Sequence, residues 1–513
     1  MLNRLHKWDD LVQRAIRLWV KKKCEPMSSN KKLVSLPIPW FTIAIIGIFL
    51  FSAVLRFWRI GQFNTLVFDE TYYVSFADNY FTGTSFFNPH PPLGQYIITI
   101  GIWIGDRLPF GQDITNTLTG SEYSTFSYRW LNAFAGSFIP LIIGAIAYQL
   151  TQRRTYTLIS AVVVAFDGFF LVESCYALTD IYIVIFGLLG QLFLLLILRD
   201  RSPLSSLPHQ EGGRGDSHPY LGETKGRWKM LTLSGIFLGA SASVKWNGLG
   251  FLLGIYLIWA AAWIMRWLKT RQHHSFSFQT PLRRLTQLHF FKFIWYFGII
   301  PIITYSLSWI PHLLLATQMG FFQVHQRILS FHEELGGGAG VHPYCSRWYS
   351  WLIMWRPISY YYQTSQWEAG KVIYDVHAMG NPILWWLSTA AILLLLVLLA
   401  LQLFRGGLSQ FSTLPTWIAL FLVLNYAANF LPWAMVSRCT FLYHYMEASI
   451  FAELGLAWIV DHWLRSRHSI CRSAGIAVIL AIIGAFFFWL PIYLGLPLSP
   501  EGYQLRMWFP SWV

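Results

Sequence analysis

The chain has 513 residues, of which 55% are hydrophobic and 12% charged, and its formal net charge is +14. Soluble proteins carry about 25% charged residues, so the composition excludes a soluble enzyme of this size. It also excludes a nucleic-acid-binding surface, because the Lys and Arg residues sit in short connections between apolar runs instead of gathering on one face.

The segment 1–38 carries Arg4, Lys7, Arg14, Arg17, Lys21, Lys22, Lys23, Lys31 and Lys32 and is expected to be cytoplasmic. Apolar runs follow at 39–57, 128–150, 155–172, 176–198, 229–245, 247–267, 293–314, 383–404, 414–431, 439–461 and 474–495. Each suits a crossing of ~30 Å of hydrocarbon, so an all-α polytopic membrane protein with about 11 transmembrane helices is expected over 39–495. The first run is too long for a signal-peptide core and reads as a retained span. Counting from a cytoplasmic N-terminus, the connections with Arg153/Arg154, Arg199 to Arg227, Lys269 to Arg284, Arg405 and Arg465/Arg467 all fall on the cytoplasmic side. The tail 496–513 then lies outside.

Two long segments, 58–127 and 315–382, are expected on the extracytoplasmic face. Within the first, the apolar stretch near 93–107 is interrupted by Gly94, Gly101 and Gly105. Counting it as a span would reverse every later connection, so it reads as an interfacial or re-entrant helix. The second carries Gly336, Gly337, Gly338 and Gly340, then an aromatic run from Trp348 to Tyr362. Segment 201–228, rich in Ser, Gly and Pro, reads as a cytoplasmic linker. The five cysteines are scattered and odd in number, implying no disulfide framework.

Candidate chemistry begins with Asp69-Glu70 just beyond the first run, since adjacent carboxylates at a membrane interface are costly unless solvated or used. In the same loop, Pro89, Pro91 and Pro92 stiffen the backbone around His90. A carboxylate beside a fixed imidazole suits proton removal from a hydroxyl. Arg129, Lys245, Arg347 and Arg438 are cations on the disfavoured side of the membrane; snorkelling or pairing explains such groups, and so does a lipid-borne phosphate. Asp167, Glu173, Asp180 and Glu447 lie in or near spans, and Asp167 and Asp180 straddle one outer turn; helix–helix pairing accounts for them as readily as a shared cavity does. His325, His332, His342 and His377, with Glu333, match no metal-ligand spacing, so no metal is expected. Gly235 and Gly239 read as helix packing.

Taken in order, these residues resemble the protein O-mannosyltransferase family, membrane glycosyltransferases of the GT-C type that use polyprenyl-phosphate mannose. The resemblance rests on Phe68-Asp69-Glu70, His90-Pro91-Pro92-Leu93, Tyr128-Arg129-Trp130-Leu131, Leu178-Thr179-Asp180 and Ser243-Val244-Lys245-Trp246-Asn247-Gly248. It continues through His342-Pro343-Tyr344-Cys345-Ser346-Arg347-Trp348, Arg356-Pro357-Ile358-Ser359-Tyr360-Tyr361-Tyr362, Gly380-Asn381-Pro382, Leu431-Pro432-Trp433 and Phe441-Leu442-Tyr443-His444-Tyr445. Leu178-Thr179-Asp180 departs from the Leu-Leu-Asp that the family often has. The second outer loop is too short for the soluble domain that fungal members insert there, so the bacterial type is implied.

The resemblance implies inverting transfer of mannose to Ser or Thr hydroxyls of exported proteins at the outer face of the cell membrane. Asp69 is then the catalytic base. Glu70, His90, Tyr344 and Arg347 position acceptor and base, while Arg129, Lys245 and Arg438 bind the lipid phosphate. Asp180, His342 and His444 give support. No cofactor is expected beyond the lipid-linked donor, and the partners are that donor, membrane lipids, an exported polypeptide and the secretion machinery delivering it. Two other readings are a related GT-C transferase acting on a lipid or glycan such as lipid A, and a secondary transporter. The two large outer loops, the outward cluster of Asp69, Arg129 and Arg438, and the absence of internal repeats count against the transporter.

Overall fold

In hydrocarbon every backbone N–H and C=O must find its partner within the chain, so long apolar runs become helices. A computed structural model of the protein describes residues 38–111, 115–116, 123–199, 220–271, 281–338, 340–368, 370–406 and 414–513. The expected basic N-terminal segment lies outside the described residues up to position 37, as does the expected linker up to 219. From Tyr220 that linker is already helical, continuing to Val244.

All eleven expected runs contain helix, but among the described residues eight helices are long and apolar enough to cross a membrane, or nine if one bent pair counts as a span. Eleven is therefore not established as the number of crossings. Two departures have clear causes. The run expected at 155–172 is split into Arg154–Ala165 and Gly168–Cys175, bent by 58°. Asp167 sits at the break, where its carboxylate caps Phe169 N at 3.1 Å and also accepts from Asn381 N at 3.0 Å. The helix Met446–Leu464 buries Glu447, Glu453 and Asp461, an acid load unlike that of a lipid-facing span.

The first outer loop contains Glu70–Thr82 and the short apolar helix Leu93–Gly105. Thirteen residues reach only about 20 Å, too short to span, as expected for that stretch. Trp130 Nε1 donates to Gly101 O at 2.8 Å, and Gln95 Nε2 donates to Tyr73 O, so this helix is stitched to both neighbours.

The second outer loop is not all-helical. After Phe321–Glu334 and a 3-10 turn at Trp348–Ile353, strands Ile358–Trp367 and Gly370–Ala378 form an antiparallel hairpin running from Ile358 opposite Ala378 to Trp367 opposite Gly370, with the register shifted by an irregularity between Ser359 and Tyr361. The tail closes on it: Leu498 bridges Ile373, and Arg356 donates to Ser511 O at 2.7 Å. Gly235 and Gly239 do mark close helix packing, because a Cβ at either would meet Tyr296 O or Pro301 O within 2.7 Å.

Candidate functional site

Two adjacent acids at the start of Glu70–Thr82 have opposite surroundings. Phe68 takes a left-handed φ of 53° and stacks on Tyr360 with ring centroids 4.1 Å apart, which turns the chain sharply into the helix. Such a conformation costs a non-glycine residue about 1–2 kcal/mol, and this stacked contact offsets part of that. Beyond the turn, Glu70 faces inward and accepts four hydrogen bonds: Val67 N and Ala177 N at 2.8 Å each, Arg129 Nε at 2.9 Å and Arg129 Nη2 at 2.7 Å. Asp69 is the residue preceding the helix, yet its side chain makes no capping bond and no hydrogen bond to any described residue. Burial raises its carboxyl pKa to about 6, with Lys245 pulling it down and Asp180 pushing it up.

Near Asp69 is a cavity of about 520 Å³, within the range typical of small-ligand sites. Lys245, Trp246 and Asn247 enter it from the turn joining Tyr220–Val244 to Leu249–Arg271. That turn is tight enough to require glycine at 248, where a Cβ would lie 2.5 Å from the Ser241 backbone. Lys245 Nζ pairs with Asp180 Oδ2 at 2.5 Å, leaving two ammonium hydrogens for other acceptors. Asn247 Nδ2 donates to Glu447 Oε1 at 2.6 Å. The apolar lining, including Leu249, Leu253 and Ala428, comes largely from spanning helices, and the polar lining mostly from connections. A cavity built this way fits an amphiphile.

Arg438 lines the same cavity from a segment fastened at several points. Cys439 N donates to Gly336 O at 2.8 Å, Ser346 N donates to Thr440 O at 2.8 Å, and Cys345 is bonded to Cys439. Gly337 is needed here, since a Cβ would meet Ser437 O at 2.6 Å. The disulfide corrects the expectation that the cysteines imply none. Replacing Cys345 and Cys439 together by Ser should lower stability by about 2–4 kcal/mol, because the bond closes a 94-residue separation in the unfolded chain. An unfolding midpoint in detergent that does not move would contradict this.

His90, His332 and His444 also line the cavity. His90 and His332 have ring centroids 5.6 Å apart, and His332 Nε2 donates to Pro89 O at 3.0 Å. Burial, then the charges of Lys245 and Arg438, hold all three imidazoles below the usual histidine range. Lys245 and Arg438 are left as fixed positive charges on the wall.

The structure thus brings together Lys245, Arg438, His90 and His444, with Asp180 held on Lys245. Asp69 is not on the cavity wall itself; Lys245 is the group that both lines the cavity and acts on it. Arg129, expected at the lipid phosphate, is placed off the cavity wall. Its five N–H groups are spent on Glu70 and on the carbonyls of Ile60, Phe63 and Thr65, and it is 1% exposed. Glu70, expected to position acceptor and base, is likewise held by four hydrogen bonds from within the protein. Tyr344, Arg347 and His342 do not line the cavity: the Arg356 guanidinium lies over Tyr344, Arg347 is exposed, and His342 packs edge-on to Phe441. Sequence reasoning missed Trp246 and Asn247, which sit inside a quoted motif, and His332, weighed only as a metal ligand.

Residues 46–317 match the family model described as dolichyl-phosphate-mannose-protein mannosyltransferase, and 317–512 match the C-terminal four-transmembrane region of protein O-mannosyltransferases. A polyprenol-phosphate-mannose–protein mannosyltransferase of Corynebacterium glutamicum is 27% identical over 92% of this chain and 93% of its own. A relative of the same name from Mycolicibacterium smegmatis is 24% identical over the same shares. Among solved structures, the S. cerevisiae protein O-mannosyltransferase Pmt1–Pmt2 complex bound to the sugar donor superimposes with a TM-score of 0.73 at 15% identity, covering 92% of this chain and 93% of that one.

Proposed function

The chain belongs to the dolichyl-phosphate-mannose-protein mannosyltransferase family, and on that premise we propose that it moves mannose from polyprenyl-phosphate mannose to Ser or Thr hydroxyls of polypeptides. The observation carrying this reading is the position of Lys245, which lines a cavity fit for an amphiphilic phosphate and acts through its charge on the Asp69 carboxylate. In the proposed step the acceptor oxygen attacks the anomeric carbon and its proton passes to Asp69. The bond from that carbon to the phosphate oxygen breaks, and its electron pair leaves with the lipid phosphate. Lys245 and Arg438 face the charge that grows there, the place where electrostatic stabilisation counts most. These two cations supply what a metal would otherwise supply, so none is proposed.

We also propose that the site faces away from the cytoplasm, where exported chains emerge. The Cys345–Cys439 bond is of the kind that persists in oxidising compartments, and the basic connections fall on the opposite side by sequence.

The test is incubation of purified protein with polyprenyl-phosphate mannose and a Ser/Thr peptide, in excess chelator, followed by mass measurement of the peptide. Addition of a hexose is expected; an unmodified peptide alongside a mannosylated lipid or glycan would overturn the acceptor assignment. Arg438→Ala should raise the donor KM about tenfold, the worth of one charge-assisted hydrogen bond. An unchanged KM would remove Arg438 from the phosphate site.

A further inference from the structure

Trp246 follows Lys245 directly and stands on the cavity wall with its indole half-buried. Its one polar atom is committed elsewhere: Nε1 donates to Tyr305 Oη at 2.9 Å. Tyr305 Oη is in turn 2.8 Å from His325 Nε2, and His325 Nδ1 is 2.7 Å from Phe321 O. A carbonyl can only accept, so His325 Nδ1 carries the hydrogen. On a neutral imidazole His325 Nε2 is then a lone pair that accepts from the Tyr305 hydroxyl, and that oxygen still accepts from Trp246. An indole N–H can only donate, so these contacts fix the indole with its N–H turned into the protein's own hydrogen bonds. What Trp246 can offer a ligand is carbon surface.

The surroundings say which ligand. An isoprenoid tail needs no polar neighbours, and Leu249, Leu253 and Ala428 already provide apolar wall on the spanning helices. Trp246 is instead next to a cation and beside imidazoles: its ring lies 6.2 Å from that of His332, and the His90 imidazole makes no hydrogen bond to a described residue. A pyranose presents polarised C–H groups on one face and hydroxyls around its edge, which matches the negative face of an indole rimmed by hydrogen-bonding groups. We propose that Trp246 is the platform on which the donor's sugar ring lies, and that Tyr305 and His325 are positioning residues that hold the platform. This rests on the reading of the cavity as the donor site.

The experiment measures binding of two lipids, polyprenyl-phosphate mannose and bare polyprenyl phosphate, to wild type and to Trp246→Ala, Trp246→Phe and Tyr305→Phe. Trp246→Ala should weaken the mannosylated lipid about tenfold and the bare lipid less than about twofold, which also shows that the variant is folded. Trp246→Phe should recover most of the loss, and Tyr305→Phe should raise the donor KM with little change in kcat. Equal weakening of both lipids by Trp246→Ala, or of neither, overturns the platform while leaving the donor site standing. A wild type that binds the bare lipid as well as the mannosylated one, and transfers nothing, overturns both.

Discussion

Asp69→Asn should leave a folded, lipid-binding protein whose turnover falls by about 10²–10⁴-fold, the usual worth of a general base. The fold should survive because Asp69 contributes no capping bond and no hydrogen bond to a described residue, and Asn has the same size. Transfer should fail because a Ser or Thr hydroxyl becomes a competent nucleophile only as its proton is removed, and an amide cannot take it. The same carboxylate sets a pH limit. Burial has raised its pKa to about 6, so at neutral pH it is mostly deprotonated and able to accept a proton. As the pH falls through that value the base is protonated, and kcat/KM should drop by about tenfold for each further unit. Near-normal turnover of Asp69→Asn with purified donor would remove Asp69 from the mechanism. A profile flat from pH 7 to 5 would show that its protonation does not govern the rate.

What could be read from the sequence follows the physics of each feature. The apolar runs were legible because hydrocarbon demands about 20 uninterrupted residues, a signal that needs no knowledge of neighbours. The number of crossings was not, because Asp167 breaks one run, Met446–Leu464 carries three acids, and Tyr220–Val244 is not among the helices apolar enough to cross. The hairpin at Ile358–Ala378 had left a trace in its Ile, Tyr and Thr residues, which favour strands; the segment reads by sequence as an outer loop with an aromatic run, because pairing between its two halves does not show in composition. The disulfide could not be read, since 94 residues separate its cysteines and only the folded loop brings them together. Lys245 and Arg438 stood out because a cation on the disfavoured side needs a partner, and both line the cavity. Arg129 obeys the same rule with a different partner, a buried carboxylate, and sequence alone does not distinguish the two.

That second solution leads to the largest stability effect expected in the molecule. Arg129→Ala should cost about 3–5 kcal/mol, the range for breaking a buried ion pair from one side. The loss is not the strength of one contact. Removing the guanidinium strands Glu70, 0% exposed, as an uncompensated charge. It also frees the carbonyls of Ile60, Phe63 and Thr65, which hold the chain between the first span and Asp69. Lys should not rescue it, because an ammonium has three hydrogens where five are used and cannot present two to one carboxylate in a plane. Thermal unfolding in detergent should show both variants destabilised, and whatever folded Arg129→Lys remains should bind donor with an unchanged KM. A stable Arg129→Ala whose only defect is a raised donor KM would return this arginine to the phosphate. The buried pair would then be an incidental neighbour of the site, not the frame on which Asp69 is held.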